Sequence, residues 1–275
     1  MSMIIKIYSL LLIVSFSANS CKKYKVESGN DPNFIVIENT NKDFKKFNKK
    51  VVVFNIPIYA SKKVNNSKLL HAANILAQYL DNNEDGIVDN QPVVEQMILH
   101  KATLIMWNKE WDIRNLPESY NIQDLGADET VPEWHTTHLG RFDASIEEVW
   151  HLVTHVGYAN AYPEIFGEIE GTKVSDAMDI ARGGHFTTIP NTYPDSAWYT
   201  YNDNTCEYNC MITEYLYWAM TSVLGAQENR LNEIQQEWKL NTRTLVQNTD
   251  TAIYSLLTNP QYKFPTVLPD GTYKH

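Results

Sequence analysis

The hydrophobic and polar positions divide this chain into an apolar leader, a polar spacer and a long patterned region. Lys6 precedes an apolar run over residues 7–18, which ends in Ala18-Asn19-Ser20-Cys21. That run is too short to cross a bilayer as a helix. It has the order of an export signal: a basic residue, an apolar core, then small residues before a cut. Residues 22–33 carry no apolar period and, with Cys21, read as a tether over 21–33. Residues 51–60 are rich in β-branched side chains and predict a strand that Pro57 interrupts or confines to an edge. Leu69, Ala72, Ala73, Leu76 and Leu80 recur at helical spacing and predict a helix over 68–80, with a second helix expected over 93–107. Another helix is expected over 147–155. Near Met211 a further one begins, in which Leu216, Tyr217, Trp218, Met220, Val223 and Leu224 wrap nearly every face, so it should be buried. Residues 230–257 read as a long helical region divided near Asn241 or Asn248, after which Pro260, Pro265 and Pro269 leave an extended tail.

Composition narrows the partners. The 275 residues carry a formal net charge of −10, and removing residues 1–20 takes away Lys6 and no acid, giving −10 − 1 = −11. No basic patch is present, which argues against nucleic acid as a partner. Sixteen tyrosines and seven tryptophans exceed what folding needs and could line a cleft for a peptide or carbohydrate. Ending on Cys21, the leader resembles a bacterial lipoprotein signal. The resemblance implies cleavage before Cys21, a lipid anchor on that residue, and a place in the bacterial cell envelope facing the periplasm or the outside. The alternative is an ordinary signal peptide with a stray cysteine. Export also favours a disulfide between Cys206 and Cys210 over a thiolate metal pair, because spacing of four suits a helical or tightly turned link.

Between the first two expected helices lies Asp81-Asn82-Asn83-Glu84-Asp85-Gly86-Ile87-Val88-Asp89. This segment resembles an EF-hand calcium loop. The resemblance implies ligands at Asp81, Asn83, Asp85 and Asp89, a carbonyl from Ile87, and a sharp turn at Gly86. Pro92 stands where the family places its bidentate Glu, so Glu95 or water would complete a Ca2+ shell. The plain alternative is a polar turn joining two helices.

In 147–155, Glu147, Glu148, His151, Thr154 and His155 share about a third of a helix circumference at roughly 100° per residue. Ser145 followed by Glu148 fits a capping box, which gives Glu148 a structural job. His151 and His155 keep the spacing of the H-E-x-x-H zinc helix of metalloproteases, but Leu152 occupies the place of the catalytic Glu. Glu214 is the lone charge in a buried helix and therefore calls for a cation or donor network. His151, His155 and Glu214 together resemble the ligand set of glutamate-type zinc metalloproteases, which implies Zn2+ with an open position. Glu147 or Glu148 would then act as base, and Tyr201 or His185 would steady an oxyanion. The aromatic segment 191–201, with Tyr193, Trp198, Tyr199 and Tyr201, supplies pocket candidates. Glu148 and His151 also have the Glu-x-x-His spacing of ferritin-like carboxylate sites, though no second copy exists. His135 and His138 form a rival pair.

The fold expected is mainly α with a small β element: a compact helical domain over 34–275, zincin-like as the resemblance implies. It would contain an EF-hand-like segment over 68–105 and a metal-site region over 143–228. Two functions compete. One is a calcium-binding exported lipoprotein with zinc-dependent peptide hydrolysis. The other is a non-enzymatic envelope protein, structural or ligand-binding, with a structural metal.

Overall fold

The computed structural model describes residues 34–275. The expected signal, the lipidation site at Cys21 and the tether lie outside them. Five strands form one sheet in the order of the chain: β1 (Ile37–Glu38), β2 (Lys49–Val53), β3 (Ile56–Ala60), β4 (Ala102–Trp107) and β5 (Asn121–Gly126). The first three pair antiparallel, whereas β3 with β4 and β4 with β5 run parallel. Residues 51–60 are thus a hairpin rather than one strand. It turns at Phe54 and Asn55, whose φ values of 47° and 69° match the twist a tight hairpin needs. Pro57 faces Val52 of β2, and pairing with β4 begins only at Ile58, so the missing N–H does not break the parallel ladder.

Helix α1 (Asn66–Leu80) starts where the Asn65 side chain accepts from the Ser67 amide. Helix α2 (Gln91–Leu99) starts with Asn90 as its cap and Pro92 in its first turn, where the absent N–H costs nothing. The helix expected to reach 107 stops here. Lys101 turns the chain at φ 54°, and the rest becomes β4. Ala102, Leu104, Ile105 and Met106 are all buried. A strand covered on both faces lacks the polar alternation that would distinguish it from a buried helix.

Beyond the sheet follow α3 (Trp134–Thr137), α4 (Ser145–Leu152), a widened π turn (Val153–Tyr158), α5 (Lys173–Ala181) and α6 (Tyr208–Val223). Helix α4 lies against α1, β5 and α6. Cys206 and Cys210 form a disulfide with their Cα atoms 5.3 Å apart, closing the entrance to α6. The 230–257 region is three short helices, Leu231–Ile234, Arg243–Thr249 and Thr251–Leu257. Trp238 falls in the first break, where it is buried and bridges to Tyr199. The architecture is mainly helical with a small mixed sheet. Among the described residues no helix is long and apolar enough to cross a membrane.

The proline-rich C-terminus packs rather than trailing away. Tyr262, Phe264 and Tyr273 are buried, and Phe264 stacks on Tyr158 with ring centres 4.2 Å apart. Asn74 of α1 donates to the Gly271 carbonyl at 2.8 Å. Gly271 has φ +79°, and a Cβ there would lie 2.1 Å from His71 Nδ1. Gly171 has φ +85° with nothing within 4 Å of such a Cβ. Gly171→Ala should therefore cost only the left-handed backbone term of about 1–2 kcal/mol. Gly271→Ala should cost clearly more, because the His71 ring must also shift. Thermal melts of the two variants check this; equal losses would contradict the close packing.

Candidate metal centre

Glu147 and His151 stand one turn apart on α4, and α6 brings Glu214 against them. One ligand atom from each lies within 4.8 Å of the other two. His151 Nε2 is buried and makes no hydrogen bond, with Glu214 Oε2 3.6 Å away. The other ring nitrogen, Nδ1, faces Glu148 Oε2 at 3.4 Å. Glu148 also accepts a hydrogen bond from Gln123 of β5 at 2.5 Å. Hydroxyls of Tyr217 and Tyr201 reach Glu147 and Glu214 respectively.

Electrostatics at this point are unbalanced. Burial, reinforced by Glu214 and Glu148 against the pull of His151, pushes the Glu147 carboxyl up to about 8. Glu214 is raised as well, chiefly by burial and further by Glu148, with His151 and Tyr201 opposing. Burial alone would lower the His151 imidazole, but Glu214, Glu148 and Glu147 outweigh it and hold the ring at about 10. Three carboxylates thus surround one imidazole. Among the described residues none of the three has a lysine or arginine ion-pair partner.

His155 does not join this group. The helix widens into the π turn immediately after Leu152, and each residue there rotates by less than the roughly 100° of an α-helix. The i,i+4 register with His151 is lost. His155 Nδ1 instead meets Glu168 Oε2 at 2.5 Å, while Thr213 of α6 donates to the other Glu168 oxygen at 2.6 Å. The structure therefore assembles Glu147, His151 and Glu214 where spacing pointed to His151, His155 and Glu214.

Other expected residues fall elsewhere. Ser145 is the first residue of α4 rather than its cap, and its hydroxyl donates to Asp143, so no capping box with Glu148 forms. His185 pairs with Asp179 Oδ2 at 2.7 Å and Glu170 at 3.8 Å, outside the cluster. Of the aromatic segment, Tyr201 alone reaches a cluster residue by a hydrogen bond. Tyr199 donates to the Met211 carbonyl, Trp198 to Asp250, and Tyr193 to the Tyr201 carbonyl. His138 stacks on Trp134, which separates it from His135.

The aspartate-rich loop does connect two helices, and Gly86 makes its turn at φ +79°. Several of its side-chain oxygens accept hydrogen bonds from within the protein. Asp81 accepts from the amides of Asp85 and Gly86 and from the Tyr273 hydroxyl at 2.6 Å. Asn83 accepts from the Asp85 amide, Asp85 from the Ile87 amide, and Asp89 from the Asn82 amide. Glu95 bonds Gln91 on the exposed face of α2. Asp81, Asp85 and Asp89 do not converge within 4.8 Å as the other acids do. A cavity of about 520 Å3 opens beside this loop, lined by Asn82, Arg243, Lys263 and Phe264 among others, and touches no residue of the cluster.

A second convergence, of His71, His135 and Asp143, also meets the 4.8 Å spacing. Sequence reasoning passed over His71 and Asp143. His71 sits among the core positions of an amphipathic helix, and Asp143 reads as an ordinary acid before a helix start. No family model, curated protein or solved structure matches this chain.

The first cluster has a pH consequence. Between about 4.5 and 8 the folded chain keeps a Glu147 proton that the unfolded chain has lost. Between about 6.5 and 10 it likewise keeps the His151 proton. The folded state binds more protons throughout, so stability in the presence of a chelator should fall as pH rises from about 5 to 10. Urea midpoints measured across that range check the slope. Glu147→Gln should flatten its acidic half.

Proposed function

We propose that this protein is an exported, lipid-anchored envelope protein that holds a divalent ion, zinc, between Glu147, His151 and Glu214. The ion's role is structural or ligand-holding rather than hydrolytic. The carrying observation is the buried, hydrogen-bond-free Nε2 of His151 beside the Glu214 carboxylate, with Glu147 in the same cluster and, among the described residues, no lysine or arginine ion pair to either acid. One imidazole nitrogen and two carboxylate oxygens are a donor set zinc accepts. Binding would displace the protons held on Glu147 and on the His151 ring.

The non-enzymatic reading rests on the same geometry. A hydrolytic zinc needs a free base beside its water. Leu152 stands where that base belongs, Glu147 and Glu214 are themselves ligands, and Glu148 is engaged by Gln123 and His151. His155, the expected second imidazole, is held by Glu168. Anchoring at the envelope rests on the Lys6, apolar run and Cys21 pattern.

Metal analysis and zinc titration of the purified chain test this. Glu214→Gln and His151→Asn should each hold one zinc fewer than the parent, with affinity at that position reduced more than about 100-fold. Peptide substrates should remain uncut. Unchanged zinc content in both variants would remove the metal assignment, and hydrolysis abolished by His151→Asn would overturn the non-enzymatic reading.

A further inference from the structure

His71 of α1, His135 of α3 and Asp143, just before α4, meet at a point separate from Glu147, His151 and Glu214. The Asp143 side chain has no exposed surface, and the two rings are 7% and 6% exposed. One carboxylate oxygen, Oδ1, accepts from the Val131 amide at 2.8 Å and from the Ser145 amide and hydroxyl at 3.3 and 2.5 Å. That fixes the carboxylate. Its other oxygen, Oδ2, lies 2.7 Å from His71 Nε2 and 2.8 Å from His135 Nε2. The same nitrogen of each ring and one oxygen therefore point at one another. Such a carboxylate is oriented in advance as a single-oxygen ligand.

Charge favours a cation here. Among the described residues Asp143 has no lysine or arginine ion pair, and its partners are the two imidazoles and neutral donors. Asp270 of the C-terminal segment also lies close enough for the His135 ring to act on it. Burial would raise the Asp270 carboxyl, but bonds from Thr272 and Gln78, with that ring, hold it down. Two carboxylates beside two neutral imidazoles would balance one divalent ion.

A knot of two N–H donors on Asp143 is the simpler arrangement. It leaves His135 Nδ1 buried without a hydrogen-bond partner, which is costly. A metal taking both Nε2 atoms moves the ring proton to Nδ1, and the Asp270 carboxylate acts favourably on that ring.

We propose that His71, His135 and Asp143 bind a second zinc ion, which is structural. Two imidazoles and a carboxylate suit zinc or ferrous iron. The low exposure of all three side chains, and the Gly271 backbone pressed on the His71 ring, favour the small coordination shell of zinc over a six-coordinate ion. The ion would tie α1, α3 and the approach to α4 together.

The full chain, stripped by chelator and titrated with zinc, tests this independently of the other centre. Glu214→Gln should still bind one zinc, and adding His135→Gln should abolish it. Nitrogen NMR of the unsubstituted chain should show the Nε2 signals of both His71 and His135 shifting as zinc is added, a readout that needs no variant to fold. Unmoved Nε2 signals on those two rings, or a Glu214→Gln chain that binds no zinc, would overturn the proposal. If instead the other centre is wrong, Glu214→Gln will match the parent and His135→Gln alone will lose the metal.

Discussion

The crowding of half-buried carboxylates around α4 is the constraint on which the middle of this molecule depends. Glu147, Glu148 and Glu214 approach one another because α4 packs between β5 and α6, and that packing is driven by apolar residues. Ile146, Val149, Leu152, Ile212, Tyr215 and Leu216 are all buried. Hydrophobic contact therefore sets the distance between the helices, and the acids must accommodate it. An ionised carboxylate in such a place needs a counter-charge or a proton. His151 supplies one positive charge at most, so protons or a divalent ion must supply the rest.

Three groups of buried or half-buried acids among the described residues meet this demand in different ways. Asp81 is answered by backbone amides of its own loop and by the Tyr273 hydroxyl. Asp143 has two amides, a hydroxyl and two imidazoles. Against the opposing effect of burial, bonds from His135, His71 and Ser145 hold it far below the usual carboxylate range. Glu147 and Glu214 have only tyrosine hydroxyls and one ring, and both are pushed up. Asp81 is raised as well, because burial outweighs its three donors. The C-terminal segment takes part in the first two groups, through Tyr273 on Asp81 and Gly271 against His71. It acts as a cover over acids that belong to distant parts of the chain.

Much of the local structure was legible in the residues. The apolar spacing of Leu69, Ala72, Leu76 and Leu80 marks α1, and the all-round apolarity after Met211 marks the buried α6. Cys206 and Cys210, four apart beside a helix start, read as a disulfide and form one. Glu214 was identified from its isolation in that helix, and it does meet His151. Other features were hidden. The segment 102–107 is apolar on both faces, which a helix and a central strand satisfy equally. The π turn after Leu152 carries no composition signal, yet it sends His155 to Glu168 and leaves Glu147 in its place.

Spacing along a helix by itself put Glu147, His151 and His155 on one face; the structure keeps Glu147 beside His151 and sends His155 elsewhere. The loop resemblance likewise placed a turn at Gly86, where the backbone has φ +79°. Partners from distant segments were decided only in three dimensions: Glu214 for His151, Glu168 for His155, His71 for Asp143 and Tyr273 for Asp81. The physical reason is that a one-dimensional pattern records periodicity and polarity. Charge balance depends on distances that the packing of whole helices sets.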